Sequence, residues 1–363
     1  MKTIQQILPA WMSSEGEYQD VVLFTRLSLN RNVENFPFPH FLDQVYLPEL
    51  LALGEQAAAT LYPNVSSFDL GGDSTGILTE QFYVDRNMLG MGRRINISEN
   101  KNSALLVNGE DHLSIMEFAA GFSPGKQLDI LEHYDAVLED IFQYAVSVDM
   151  GYLLSRIDRA GSGLHIDICL HLPALSECEH FSGIVARARR NGLDIMSFGD
   201  SERPIAHLFL LSTNAALGNS EEEILELIDT IIQEFVHLER EQREKFRKIT
   251  QTIDQIWRDF AILRNCRLLS LRESLNRFSN VRIGSSLGIL PLPPLSLPFF
   301  ASQSAHLRAI SSLPAFKNYV NHNSTAPNST APDAKNAAKN DAESTDYNEL
   351  RAAVFRTLLE GFA

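Results

Sequence analysis

Cysteine is scarce in this sequence: 363 residues hold three, Cys169, Cys178 and Cys266, which cannot all pair and form no CxxC. Free thiols in a reducing cytoplasm are therefore expected rather than a disulfide framework. Positive charge is scarce too. Thirty-one Lys and Arg stand against 46 Asp and Glu, a formal net charge of −15. That balance argues against broad nucleic-acid binding, because neutralising phosphates needs a basic surface. An acidic exterior would suit basic protein partners, but it is equally a route to solubility. No apolar run reaches the ~18 residues that a membrane span needs. The N-terminal residues Met1 to Gln6 lead into polar sequence rather than an apolar signal core, so a cytoplasmic protein is expected. No Gly-rich P-loop and no GxGxxG is present, so none of the common phosphate-cradling loops can be invoked.

What is present suffices for a large core. Hydrophobic residues make up 44% of the chain, enough for two domains. His165 to His171 alternates strictly and reads as a strand, and His207 to Ser212 reads as another. Leu128 to Val148 has helical periodicity. Ser220 and Glu223 form a capping-box signature ahead of Ile224, Leu227, Ile228, Ile231, Ile232, Phe235 and Leu238, a core-facing helical stripe. A Pro-rich run from Leu290 to Phe300 should be extended. It precedes a low-complexity stretch, about Asn321 to Asp346, with too few bulky apolar residues to offset its ordering entropy. That stretch is expected to be a disordered loop, followed by a short terminal helix over roughly 346–361. The reading is α+β for residues 1–250, followed by a helical C-terminal domain over 251–363.

Several segments, in order, resemble the bacterial protein-arginine kinases of the ATP:guanidino phosphotransferase family. Asp20 to Asn32 resembles DIVLSSRIRLARN, and Asn108 to Ser114 resembles NEEDHIR. Gly151 through Gly163-Leu164-His165 to Pro173 resembles GYL…CPTNVGTGLRAS…HLP, and Leu217 to Glu221 resembles LGKSE. Asn265 to Leu269 and Val281 to Gly288 carry the likeness into the second domain. The resemblance implies a large antiparallel sheet flanked by helices, then a smaller all-α domain. It also implies transfer of the γ-phosphate of ATP, with Mg2+, to arginine side chains in proteins. Such chemistry needs carboxylates to orient the guanidinium and take its proton, and cations to neutralise the transferring group.

On the resemblance, Glu110 is the guanidinium-binding carboxylate. Asp200 is the best match to the second, in the family's RGxxGEGSE loop, with Glu202 as the fallback. Thr25, Arg26 and Leu27 are the implied nucleotide segment, with Arg26 on the phosphates. The other four phosphate arginines of the pattern are replaced by Ser28, Ser114, His165 and Met196. CPTN becomes Arg156-Ile157-Asp158-Arg159, whose arginines partly replace lost charge, although Arg156 would repel a guanidinium. A histidine near the nucleotide becomes Phe82, and of an RDIRRA-like phosphoarginine segment only Arg351 is kept. One catalytic arginine is worth on the order of 10³–10⁵ in rate, so phosphoryl transfer is expected to be weak or lost.

No resident metal site is expected. His165, Asp167, Cys169 and His171 share a strand face, but four residues at this spacing span roughly 20 Å, so packed or hydrogen-bonded side chains are expected there. Two functions remain open: a protein-arginine kinase, or an inactive scaffold. The family implies protein partners of the Clp-type protease machinery and a zinc-binding activator protein, and suggests a homodimer.

Overall fold

The computed structural model describes residues 4, 7–43, 45–72, 75–200, 203–214, 219–293, 295–316 and 345–360. Nearly all of the low-complexity stretch lies outside these. The chain forms two compact units, one over Pro9–Lys245 and one from Met1–Leu8 with Phe246–Ala363.

Among the described residues the first unit has ten strands: β1 (Val22–Arg31), β2 (Val65–Asp69), β3 (Arg94–Ser98), β4 (Ser103–Val107), β5 (Leu113–Ala120), β6 (Val146–Ser147), β7 (Gly151–Tyr152), β8 (Leu164–His171), β9 (Leu193–Asp200) and β10 (Arg203–Thr213). Eight of them make one sheet in the order β2-β3-β4-β5-β1-β8-β10-β9, and every pairing is antiparallel. The short β6 and β7 pair with each other.

Period-two alternation sorts the two faces. Leu27, Leu29, Ile115, Ile166, Ile168, Leu170, Ile195 and Leu211 turn to one side and are buried with Leu128 and Leu131 of the helix Pro124–Glu139. Ile224, Ile228, Ile231, Ile232 and Phe235 of the helix Glu221–Phe246 join the same core. That helix opens with the expected reciprocal cap: Ser220 N donates to Glu223 Oε2 at 2.9 Å, and Glu223 N donates to Ser220 Oγ at 3.2 Å. The other sheet face carries Arg26, Ser28 and Asn30 of β1, and it presents the candidate site.

Three local expectations change. The helix expected over Leu128–Val148 ends at Glu139. Beyond it, Tyr144 bridges to Val33 and Ala145 N donates to Asn32 O at 2.8 Å, so pairing with the chain after β1 overrides helical periodicity. Met196 to Asp200, read as a loop, is strand β9 in a hairpin with β10. The Pro-rich run closes in a one-turn helix, Leu297–Ala301, with a proline in its first turn, where the missing N–H costs nothing.

The second unit is helical. Thr250–Asn265, Leu271–Ser286 and Thr345–Leu359 pack with two shorter helices, and Phe278 meets Phe299 and Phe355 with ring centroids at 4.8 and 5.8 Å. No helix among the described residues is long and apolar enough to cross a membrane. Cys169, Cys178 and Cys266 form no disulfide among the described residues.

Candidate active site

Sheet register assembles the site. Arg26 on β1 lies opposite Asp167 on β8, which lies opposite Ser212 on β10. Directly paired residues face the same side, close enough for their side chains to meet. The row is accordingly bonded. Arg26 Nε donates to Asp167 Oδ2 at 2.9 Å, Arg26 Nη2 donates to the same oxygen, and Ser212 Oγ donates to Oδ1. His165, one step along β8 on the same face, brings Nε2 to 3.2 Å from Asp167 Oδ2. Its Nδ1 lies 3.1 Å from Thr213 Oγ1, whose oxygen already accepts Ile166 N at 3.0 Å. The third guanidinium nitrogen of Arg26, Nη1, donates to the carbonyl of Phe82. All three nitrogens of Arg26 are thus engaged within the chain.

The electrostatics follow. Burial alone would raise the Asp167 carboxyl, but Arg26, His165 and Ser212 hold it well below the usual carboxylate range. Burial lowers Arg26, and Asp167 with Asp85 more than reverses this, so its guanidinium sits above its ordinary value. The side chains are 13% and 4% exposed, a charged pair withdrawn from water.

Thr25 and Leu27 flank Arg26 but point to the opposite face. Thr25 Oγ1 donates to Gly121 O at 2.7 Å, and Leu27 sits in the core. Ser28 lies opposite His165, Ser114 opposite Asn30, and Met196, about half exposed, opposite Leu210. The face that holds Arg26 therefore also holds all four positions where the resembling pattern has arginine. Phe82 adopts φ +62° and packs on Phe24 and Phe198, with ring centroids at 4.7 and 5.8 Å.

A second cluster forms where the β4–β5 hairpin meets the segment after β7. Asp111 and His112 lock the hairpin. Asp111 Oδ1 accepts Asn32 Nδ2 and Ser155 N, each at 2.7 Å, and Val33 N donates to His112 Nδ1 at 3.1 Å. His112 Nε2 then donates to Pro37 O at 2.9 Å, and burial pushes this imidazole down, toward its neutral form. Glu110, beside them, meets Arg159, whose Nη1 donates to Glu110 Oε2 at 3.1 Å. These side chains are 23% and 32% exposed, so this pair is wetter than Arg26–Asp167. Arg156 is held by Asp158 two residues on, with Nε to Oδ1 at 3.1 Å.

Gly163 lies between Arg159 and His165 in the chain. Its φ is +72°, and a Cβ there would lie 2.5 Å from Arg31 Nη1 and 2.6 Å from Asn30 O. Asp200 ends β9, with its backbone paired to Arg203; Glu202 lies outside the described residues. Along that stripe the His165 and Asp167 side chains are hydrogen-bonded, and the buried His171 has its ring Nδ1 3.5 Å from Arg243 Nη2. Arg351 is fully buried and donates to Ser302 O at 2.8 Å and Leu269 O at 3.0 Å, so it braces the helical unit.

Sequence reasoning missed Asp167 as the partner of Arg26. The signal was present: Asp167 falls at the serine of GLRAS, two residues from His165 and therefore on the same strand face.

An eight-stranded antiparallel sheet with this layout is the fold of the guanidino kinases. The duplicated taurocyamine kinase from Schistosoma mansoni with bound transition state analog components matches with TM-score 0.54 at 20% identity, over 66% of this chain and 37% of that one. Lombricine kinase matches with TM-score 0.52 at 17% identity, over 65% of this chain and 70% of that one. The family model for the ATP:guanido phosphotransferase C-terminal catalytic domain matches residues 69–242. That for the protein-arginine kinase McsB C-terminal domain matches residues 250–312. The chain is thus similar to ATP:guanido phosphotransferases over residues 69–242. Among curated proteins it is similar to the protein-arginine kinases of Bacillus licheniformis and Desulforamulus reducens. The first is 29% identical over 79% of this chain and 82% of that protein; the second is 28% identical over 83% and 91%.

Proposed function

We propose that this protein is a protein-arginine kinase homologue in which transfer of the ATP γ-phosphate to arginine is weak or lost, and that it acts in the cytoplasm as a protein-binding scaffold. One observation carries the reading. The sheet face that holds Arg26 carries Ser28, Ser114, His165 and Met196 at the four other positions where the resembling pattern places arginine. Phosphoryl transfer is catalysed mainly by positioning and by cations around a transition state whose charge spreads over the transferring oxygens. Removing cations from that face lowers rate more than it lowers stability, because the ground-state fold does not need them.

The residues present do not fit Mg·ATP. The triphosphate would need several free cationic donors, and the three nitrogens of Arg26 already donate to Asp167 and to Phe82 O. Asp167 adds a negative charge where phosphate oxygens would lie. On the guanidinium side, Glu110 keeps a carboxylate suited to orienting an arginine, with Asp200 the proposed second one. The scaffold reading takes a sheet domain over 1–250, a helical domain over 251–363, and partners of the kind such kinases meet: a Clp-type protease, an activator protein, and a second copy of the chain.

The test is incubation with radiolabelled ATP, Mg2+ and an arginine-rich protein, scoring acid-labile label against Glu110→Gln. Background-level label in both samples is expected. Robust labelling that Glu110→Gln abolishes would overturn the reading and restore the kinase.

A further inference from the structure

We propose that Asp167 is a built-in anion that occupies the phosphate position on Arg26, so that this face rejects triphosphates because the chain already supplies their negative charge. The inference rests on the reading above that Arg26 marks the phosphate side, and it adds the residue that closes that side.

The geometry is that of a bound anion. Asp167 Oδ2 accepts from Arg26 Nε and Nη2 and faces His165 Nε2 at 3.2 Å, while Oδ1 accepts from Ser212 Oγ. A carboxylate ringed by a guanidinium, an imidazole and a hydroxyl has the donor environment that a phosphate oxygen takes. An incoming triphosphate must either displace Asp167 or lie beside it. Displacement is costly, because Asp167 is anchored to β8 and its side chain is 4% exposed, leaving no water to receive its charge. Lying beside it places like charges together in a poorly solvated pocket. Further cover comes from Phe82, whose carbonyl takes Arg26 Nη1 while its ring packs on Phe24 and Phe198. In the resembling segment GLRAS this position is a serine, a neutral side chain that would leave Arg26 without its carboxylate.

A purely structural ion pair would show the same distances, so the test must read anion binding rather than stability alone. Tripolyphosphate and ATP are titrated calorimetrically into the full-length protein, Asp167→Ser, and the double variant Asp167→Ser/Arg26→Ala. Wild type is expected to show no binding at millimolar ligand. Asp167→Ser should gain at least tenfold in affinity for tripolyphosphate, and the double variant should lose that gain. Tripolyphosphate should also raise the melting temperature of Asp167→Ser but not that of wild type. If Asp167→Ser does not fold, Asp167→Asn removes the charge at nearly constant shape and is titrated in its place. No gain in the folded variant, or a gain that survives removal of Arg26, would overturn the proposal. So would micromolar binding by wild type that Arg26→Ala abolishes. These outcomes are read independently of catalysis. Absent labelling with no gain in binding sinks the inference alone, whereas robust wild-type labelling sinks the functional reading.

Discussion

Two charged pairs of the sheet unit differ in depth. Arg26–Asp167 is fixed by cross-strand register between two central strands, with side chains 13% and 4% exposed. Glu110–Arg159 joins a hairpin turn to a short 3-10 segment, with side chains 32% and 23% exposed. A withdrawn pair resists separation because each charge, left alone, lacks both partner and water. A wet pair exchanges partners cheaply, because solvent replaces what is lost. Arg26 is therefore closed off by its own chain, while Glu110 can exchange Arg159 for another cation at lower cost. On the function proposed above, that asymmetry favours a surface that recognises arginine-bearing proteins over a complete phosphotransfer centre.

The comparison can be broken most severely at Asp167. Asp167→Ala strands Arg26 in a poorly hydrated site and should cost about 3–5 kcal/mol of stability, the range for breaking a buried pair. Urea unfolding measures it; a loss under 1 kcal/mol would place this pair in the same class as Glu110–Arg159. Its pH signature has a definite sign. Asp167 has a depressed folded-state value, so its stabilisation is present above the unfolded carboxylate value and is lost as pH falls through the acid range below it.

Glu117 offers a contrast, being a buried carboxyl on the same sheet that is bonded to a serine hydroxyl. Burial raises it to about 7, although Ser103 Oγ donates to its Oε2. The folded state then holds a proton that the unfolded chain releases, so stability falls as pH rises from the unfolded value of 4.5 to about 7 and is flat above. At about 1.4 kcal/mol per pH unit the loss is about 3 kcal/mol. Glu117→Gln should abolish this slope in unfolding curves collected across that window; an unchanged slope would assign it to another group.

Gly163 packs tightly against the end of β1. Gly163→Ala puts a Cβ against Arg31 Nη1 and Asn30 O at positive φ, and should cost about 2 kcal/mol. The smallest effect is expected at the wet pair. Arg159→Asn, Glu110→Gln and the double variant should give a coupling energy under about 1 kcal/mol that shrinks further in high salt. A coupling above 2 kcal/mol would show that Glu110–Arg159 is held as firmly as Arg26–Asp167.

Much of the fold was legible because its signals are local. The alternation of His165 to His171 is strand β8, and Ser220 with Glu223 caps the helix that Ile224 to Phe235 anchors. Less legible were segments whose form depends on a distant partner. Ile141 to Val148 keeps helical spacing yet leaves the helix to meet residues 32–34, and Met196 to Asp200 becomes a strand only because β10 lies beside it.

Amino-acid identity sets which charges are available: a guanidinium at Arg26, a carboxylate at Glu110, and no guanidinium at Ser28, Ser114, His165 or Met196. Residue identity suffices for that, because a missing guanidinium is missing in any conformation. What those charges do depends on how the chain folds. Arg26 and Asp167 are 141 residues apart, and nothing local links them. Antiparallel register between β1 and β8 sets them opposite each other, and burial then turns that proximity into a lasting bond.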